Sequence, residues 1–145
     1  MSSKELDNLV DTGLLKREPG DQQEFEGLVD SARKRLTDAK KSGLSPESRF
    51  DLAYNAAHAF ALAAMRWHGY RPANRRYIVF QALVHTLGIK PEICRVLDKC
   101  HGRRNLFEYD GTFDVDGQLM KDLMAAAETL QTAINILGPV AKATR

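Results

Sequence analysis

Long apolar runs are missing from this sequence. No stretch approaches the ~18 consecutive apolar residues that make a membrane span, and no charged leader with an apolar core precedes a cleavage site. The expectation is a cytoplasmic chain with no membrane partner. Cysteine is scarce: Cys94 and Cys100 are the only two. They lie six apart on one expected helix and point to different sides, which disfavours a disulfide between them. There is no CxxC pair, and His58, His68, His85 and His101 never take the HExxH spacing of a zinc protease. No metal or other cofactor is therefore expected, and the cysteines read as free thiols. Strand-like alternation and repeats of 20–50 residues are also missing, which removes the all-β and solenoid classes.

Net charge is small as well, +2 over 145 residues, but it is unevenly placed. Residues 1–30 carry 3 basic and 8 acidic groups, whereas residues 31–76 carry 10 basic and 3 acidic. A basic middle with acidic flanks can attract phosphate, or can pair within the fold or across a dimer. The 43% hydrophobic content and the length suit one folded domain with a sizeable core.

Helical periodicity runs through most of what remains. Leu6, Leu9, Val10 and Leu14 predict a short helix over 4–17, closed by Pro19-Gly20. Asp21 is the expected N-cap of a helix to Ser42, with Phe25, Leu28, Val29, Ala32, Leu36 and Ala39 on its apolar face and Gly43 after it. Ser45-Pro46 opens the next helix, to His68, as N-cap and first residue. Its many alanines permit close approach of neighbours, so it is the expected central helix. Further helices are expected over 75–87, from Pro91 to about 110, and over 116–137. The fold class is all-α: an antiparallel up-and-down bundle of five to six helices, four of them long. Residues 1–20 form a helical extension, 21–138 the bundle and 139–145 a flexible tail. The aspartates at 114 and 116 do not make a calcium loop, because Gly117 falls at the fourth position and not the sixth.

The densest chemistry lies at Lys99-Cys100-His101-Gly102-Arg103-Arg104-Asn105-Leu106-Phe107-Glu108-Tyr109. Arg104 continues the apolar stripe of Ile93, Leu97 and Cys100. A guanidinium there must be paired or face a groove. Glu108, one turn on, is the obvious intrahelical partner. Read functionally, Arg104 and Arg103 are phosphate ligands, Asn105 orients a phosphate or a base edge, and Tyr109 offers a hydroxyl or a stacking ring. The turn Tyr70-Arg71-Pro72-Ala73-Asn74-Arg75-Arg76-Tyr77 mixes arginine with aromatics as nucleic-acid sites do, so Arg71, Arg75 and Arg76 join the candidates. Its alternative role is a helix connection whose arginines pair with carboxylates such as Asp51 or Glu92.

The run Arg104-Asn105-Leu106-Phe107-Glu108-Tyr109-Asp110 resembles the signature region of the HEPN superfamily. Trp67-His68-Gly69-Tyr70-Arg71-Pro72 and the stretch from Phe80 to Gly88 resemble a bacterial branch of it, and the similarity spans most of residues 21–137. The resemblance implies an up-and-down helical bundle, frequent homodimers and, in many members, metal-independent RNA cleavage. Several members are toxins of toxin–antitoxin pairs or work with a nucleotidyltransferase-like partner. The catalytic form of the signature has a histidine four to six residues after the arginine. Here Tyr109 stands at the first of those spacings, followed by Asp110 and Gly111. A tyrosine with pKa about 10 is a poor proton shuttle beside an imidazole. His101 precedes Arg104, in the wrong order, but lies only ~60° from it around the helix.

The expectation is a HEPN-like protein that binds a nucleotide, RNA or a partner protein without efficient catalysis. The alternatives are a metal-independent endoribonuclease or toxin with Arg104 and either Tyr109 or His101 as catalytic residues, and a structural or regulatory dimeric bundle.

Overall fold

The computed structural model describes residues 4–74, 77–111 and 115–141, apart from the Asp110 side chain. Among them the helices are α1 (Lys4–Asp11), α2 (Gln22–Ala39), α3 (Pro46–Trp67), α4 (Ile78–Gln81), α5 (Leu83–Thr86), α6 (Pro91–Asp110) and α7 (Gly117–Ile136). Strands β1 (Leu15–Arg17) and β2 (Tyr70–Pro72) form one antiparallel pair, with Leu15 opposite Pro72. The fold is all-α with this small clip added.

Helix starts follow capping chemistry. The Asp21 carboxylate accepts from the Glu24 N–H at 2.8 Å, and Ser45 Oγ accepts from the Ser48 N–H at 3.1 Å ahead of Pro46. Both satisfy donors that the first turn leaves without helical partners. At the far ends Gly43 and Gly69 take φ of +91° and +88°, a left-handed backbone in which a Cβ is strained.

α3 is the central element. Its buried face carries Ala53, Ala56, Ala57, Ala61 and Ala64, and it packs against α2, α6 and α7. The small side chains let these helices approach closely, while Phe50, Phe60 and Met65 fill the remaining core. From α6 come Leu97 and Cys100, and from α7 Leu123, Leu130 and Ile134. Both cysteines are free and buried. Burial pushes the Cys100 thiol up to about 12, so it is an inert core residue.

Three expectations need correction. The first helix stops at Asp11 and not at residue 17, because Gly13 adopts φ +84° and turns the chain. Leu15–Arg17 then pair with Tyr70–Pro72 as strand, a long-range contact too short to leave an alternating pattern. The described part of the expected helix over 75–87 divides at Ala82 into α4 and α5, four residues each. The chain beyond Gly138 is also packed as far as Val140. That residue is buried, and its N–H donates to Gln22 Oε1 at 2.6 Å.

Arg66 fastens the N-terminal segment. Its side chain is 3% exposed. Nε donates to Glu24 Oε1 at 2.8 Å, Nη1 to the carbonyls of Glu18 at 2.9 Å and Tyr70 at 3.1 Å, and Nη2 to the carbonyl of Pro19 at 2.9 Å. Nη2 also lies 3.2 Å from Glu18 Oε2. A guanidinium this well partnered offsets the cost of its burial. Gly20 is required beside it, because a Cβ there would sit 2.7 Å from the Arg66 carbonyl oxygen and 2.8 Å from Val140 Cγ1.

Candidate functional site

A polar stripe on α3 faces the C-terminal half of α6. Glu47, Ser48, Asp51, Tyr54, Asn55 and His58 recur every three or four residues, so they share one side of α3. Opposite them α6 presents His101, Arg104, Phe107 and Glu108. The space between is divided into two cavities that share Arg104. The outer one, about 350 Å³, is lined by Glu47, Ser48, Asp51, Arg104, Phe107 and Glu108. The inner one, about 110 Å³, is lined by Tyr54, Asn55, His58, Tyr77, His101 and Arg104.

Arg104 is the hinge of this arrangement. Nε donates to Asp51 Oδ1 at 3.4 Å and Nη1 to Glu108 Oε1 at 3.1 Å. Charge-assisted bonds of this kind are usually ~2.7–2.9 Å. The pairing is therefore loose, and both carboxylates are largely exposed, at 59% and 62%. The guanidinium carbon also lies 5.2 Å from the Tyr54 ring centre, within cation–π range. Arg104 thus sits over an aromatic face with partners that water or a ligand can replace.

His101 is held from both sides. Its Nδ1 is 3.0 Å from Tyr54 Oη, and its Nε2 is 3.3 Å from Asn105 Nδ2. The Asn105 amide donates, so in the neutral ring Nε2 accepts and Nδ1–H donates to the Tyr54 hydroxyl. The Tyr77 ring lies 5.0 Å from His101, and Phe80 meets Tyr54 edge-on at 5.7 Å. The result is a ring-lined cleft with one imidazole fixed in tautomer and orientation.

The structure brings together Arg104, Asn105 and His101 from the expected site residues. Tyr109 is elsewhere, 87% exposed and lining neither cavity. Arg103 is half-buried on α6 and lines neither cavity. The basic turn separates: Tyr77 reaches the inner cleft, while Arg71 turns to the N-terminal segment. Arg71 Nε donates to Glu18 Oε2 at 2.7 Å, and its Nη2 donates to Glu24 Oε2 at 2.9 Å. These bonds raise the Arg71 pKa further and hold the Glu18 carboxyl below its usual range. Arg71 is thus part of the clasp around Arg66, with partners other than Asp51 or Glu92. Arg75, Arg76 and Asp114 lie outside the described residues.

His68 caps the end of α3, where the helix C-terminus favours a cation. Burial overrides this and lowers its pKa, although Nε2–H donates to the Thr86 carbonyl at 2.8 Å. The sequence pattern does not assign Tyr54 or Asn55 to the site, and it places Tyr77 in the basic turn rather than with His101. Their signal lies in the polar stripe of α3 from 47 to 58, which its abundant alanines mask. Among the described residues no group of three or more histidine, cysteine or acidic side chains is placed to hold a metal.

No family model, curated protein or solved structure matches this chain. The structure is an all-α helical fold with a polar, ring-lined groove between α3 and α6. No helix among the described residues is long and apolar enough to cross a membrane.

Proposed function

We propose that the chain is a HEPN-like bundle that binds single-stranded RNA or a nucleotide in the α3–α6 groove, without efficient catalysis. The observation that carries this is the convergence of Arg104 and His101 with Tyr54 and Tyr77 on one cleft, with Asn105 hydrogen-bonded to His101 at its edge. The half-buried Tyr77 ring and the His101 imidazole offer stacking faces for a base, and Asn105 offers donor and acceptor atoms for its edge. Arg104 supplies a cation that can leave Asp51 and Glu108 for a phosphate. The exposed side of α6 carries Leu106 and Tyr109, 47% and 87% exposed. In this proposal a second copy covers them in a homodimer. A nucleotidyltransferase-like protein is the alternative occupant of that side.

A labelled single-stranded RNA titrated at rising salt tests the binding. Affinity falls as salt rises, and Arg104→Ala weakens it about tenfold, the loss of roughly 1.4 kcal/mol. Salt-independent binding, or equal affinity of the two proteins, contradicts the proposal.

The tie between Tyr54 and His101 favours one second reading. An imidazole oriented by a hydroxyl beside a guanidinium has the parts of a metal-independent endoribonuclease: a base for the ribose 2′-hydroxyl and a cation for the phosphate. In that case His101 does the work assigned to Tyr109 in the sequence. RNA cleavage by the wild type in chelator, lost in His101→Ala and kept in Tyr109→Phe, would establish this reading. The absence of cleavage would leave the binder.

A further inference from the structure

A different groove is bordered by two cations that meet no carboxylate among the described residues. It runs between the start of α3 and the outer side of α7, with a volume of about 650 Å³. Its floor is apolar, formed by Val115, Met120 and Met124, all half-buried, with Ala125 beside them. Gly117, Met120/Lys121, Met124/Ala125 and Glu128 recur at three- and four-residue intervals on one side of α7. The groove therefore tracks three turns of α7, about 16 Å.

The rim is polar and its charges are unequally occupied. Asp116 is spent as the α7 N-cap, accepting from the Leu119 N–H at 2.7 Å, and Glu128 pairs with Lys40 at 2.9 Å. Arg49 gives its Nε to the Ala39 carbonyl at 2.9 Å, and its two terminal nitrogens meet no acceptor among the described residues. Lys121 is exposed, with no carboxylate partner among the described residues. Two available cations thus border a flexible, polarisable thioether floor, a surface suited to aliphatic chains.

We infer that this groove binds an aliphatic carboxylate, its chain along Met120 and Met124 and its head group between Lys121 and Arg49. Charge complementarity favours the anion: among the described residues Arg49 and Lys121 meet no carboxylate, whereas Glu128 pairs with Lys40 and Asp116 accepts from the Leu119 N–H. Size selects a small ligand. Ten residues line the groove, whereas a stable protein interface uses roughly 20–30 per side. The volume falls within the roughly 300–1,000 Å³ of small-molecule sites.

Decanoate below its micelle concentration is the probe, read on protein whose methionine methyls carry ¹³C. The Met120 and Met124 signals shift together and saturate, while Met65, fully buried in the core, stays in place. Lys121→Glu weakens binding at least tenfold with the Met65 signal unchanged, and decylammonium binds at least tenfold more weakly than decanoate. No saturable shift overturns the inference, as does equal binding of decylammonium or of Lys121→Glu. Retention on anionic vesicles without a response to monomeric decanoate also overturns it, assigning the groove to a membrane surface instead.

Discussion

Arg66 and Arg104 each pair with two carboxylates, but only Arg66 is closed off from solvent. Arg66 adds three backbone carbonyls to its carboxylate partners, and its Nε and Nη distances to Glu24 and to the Glu18 and Pro19 carbonyls cluster near 2.9 Å. Arg104 has only the carboxylates, at 3.4 and 3.1 Å, and a side chain 33% exposed between two cavities. An ion pair alone does not separate a structural arginine from a ligand-binding one. Burial, backbone acceptors and free volume do.

The largest effect expected from this contrast is on the clasp. Arg66→Ala takes the donor from the Glu18, Pro19 and Tyr70 carbonyls and leaves Arg71 as the remaining arginine on Glu18 and Glu24, and destabilises the fold by about 3–5 kcal/mol. Thermal melting then falls by roughly 10 °C. The same substitution at Arg104 removes an exposed pair and costs at most about 1 kcal/mol. Equal losses in the two melts would erase the distinction between them.

Gly20→Ala comes next. Its new methyl meets the Arg66 carbonyl oxygen and Val140 too closely, and overpacking of this kind costs about 1–3 kcal/mol. A wild-type melting temperature would show that the Gly20 turn is loosely held.

Acid should act on the clasp side in two stages. His68 has its pKa lowered by burial from an ordinary value of 6.5, so its contribution is complete above that pH and is lost as pH falls through the lower folded value. Glu18, lowered from 4.5 chiefly by the Arg71 hydrogen bond, loses its contribution further down, as pH drops through its own folded value. A melting temperature that declines first below about 6.5, with that first limb absent in His68→Gln, is the expected profile.

Local chemistry was the legible part of this chain. Asp21 and Ser45 announce their helices because a cap needs only neighbouring residues, and Arg104 with Glu108 is likewise an intrahelical pair. What the sequence concealed was long-range. Nothing around Arg66 marks it as buried until Glu18, Pro19 and Glu24 fold over it from more than forty positions away. The same segment takes Arg71, which by composition belonged with a phosphate-binding turn. In the groove, α6 gave its residues away through their density, while Tyr54 and Asn55 were masked by the surrounding alanines. Tyr109 held the expected spacing, but the helix directs it outward while His101 turns inward.

The smallest effect tests the central claim most directly. In the proposed RNA-binding groove Asp51 competes with phosphate for Arg104. Single-stranded RNA affinities of wild type, Arg104→Ala and Asp51→Asn at one salt concentration should therefore move in opposite directions. Arg104→Ala binds about tenfold more weakly. Asp51→Asn binds up to about fivefold more tightly, the roughly 1 kcal/mol of one screened charge at contact distance. If Asp51→Asn leaves affinity unchanged or lowers it, Arg104 does not meet the RNA, and its place in the groove is structural, as Arg66's is in the clasp.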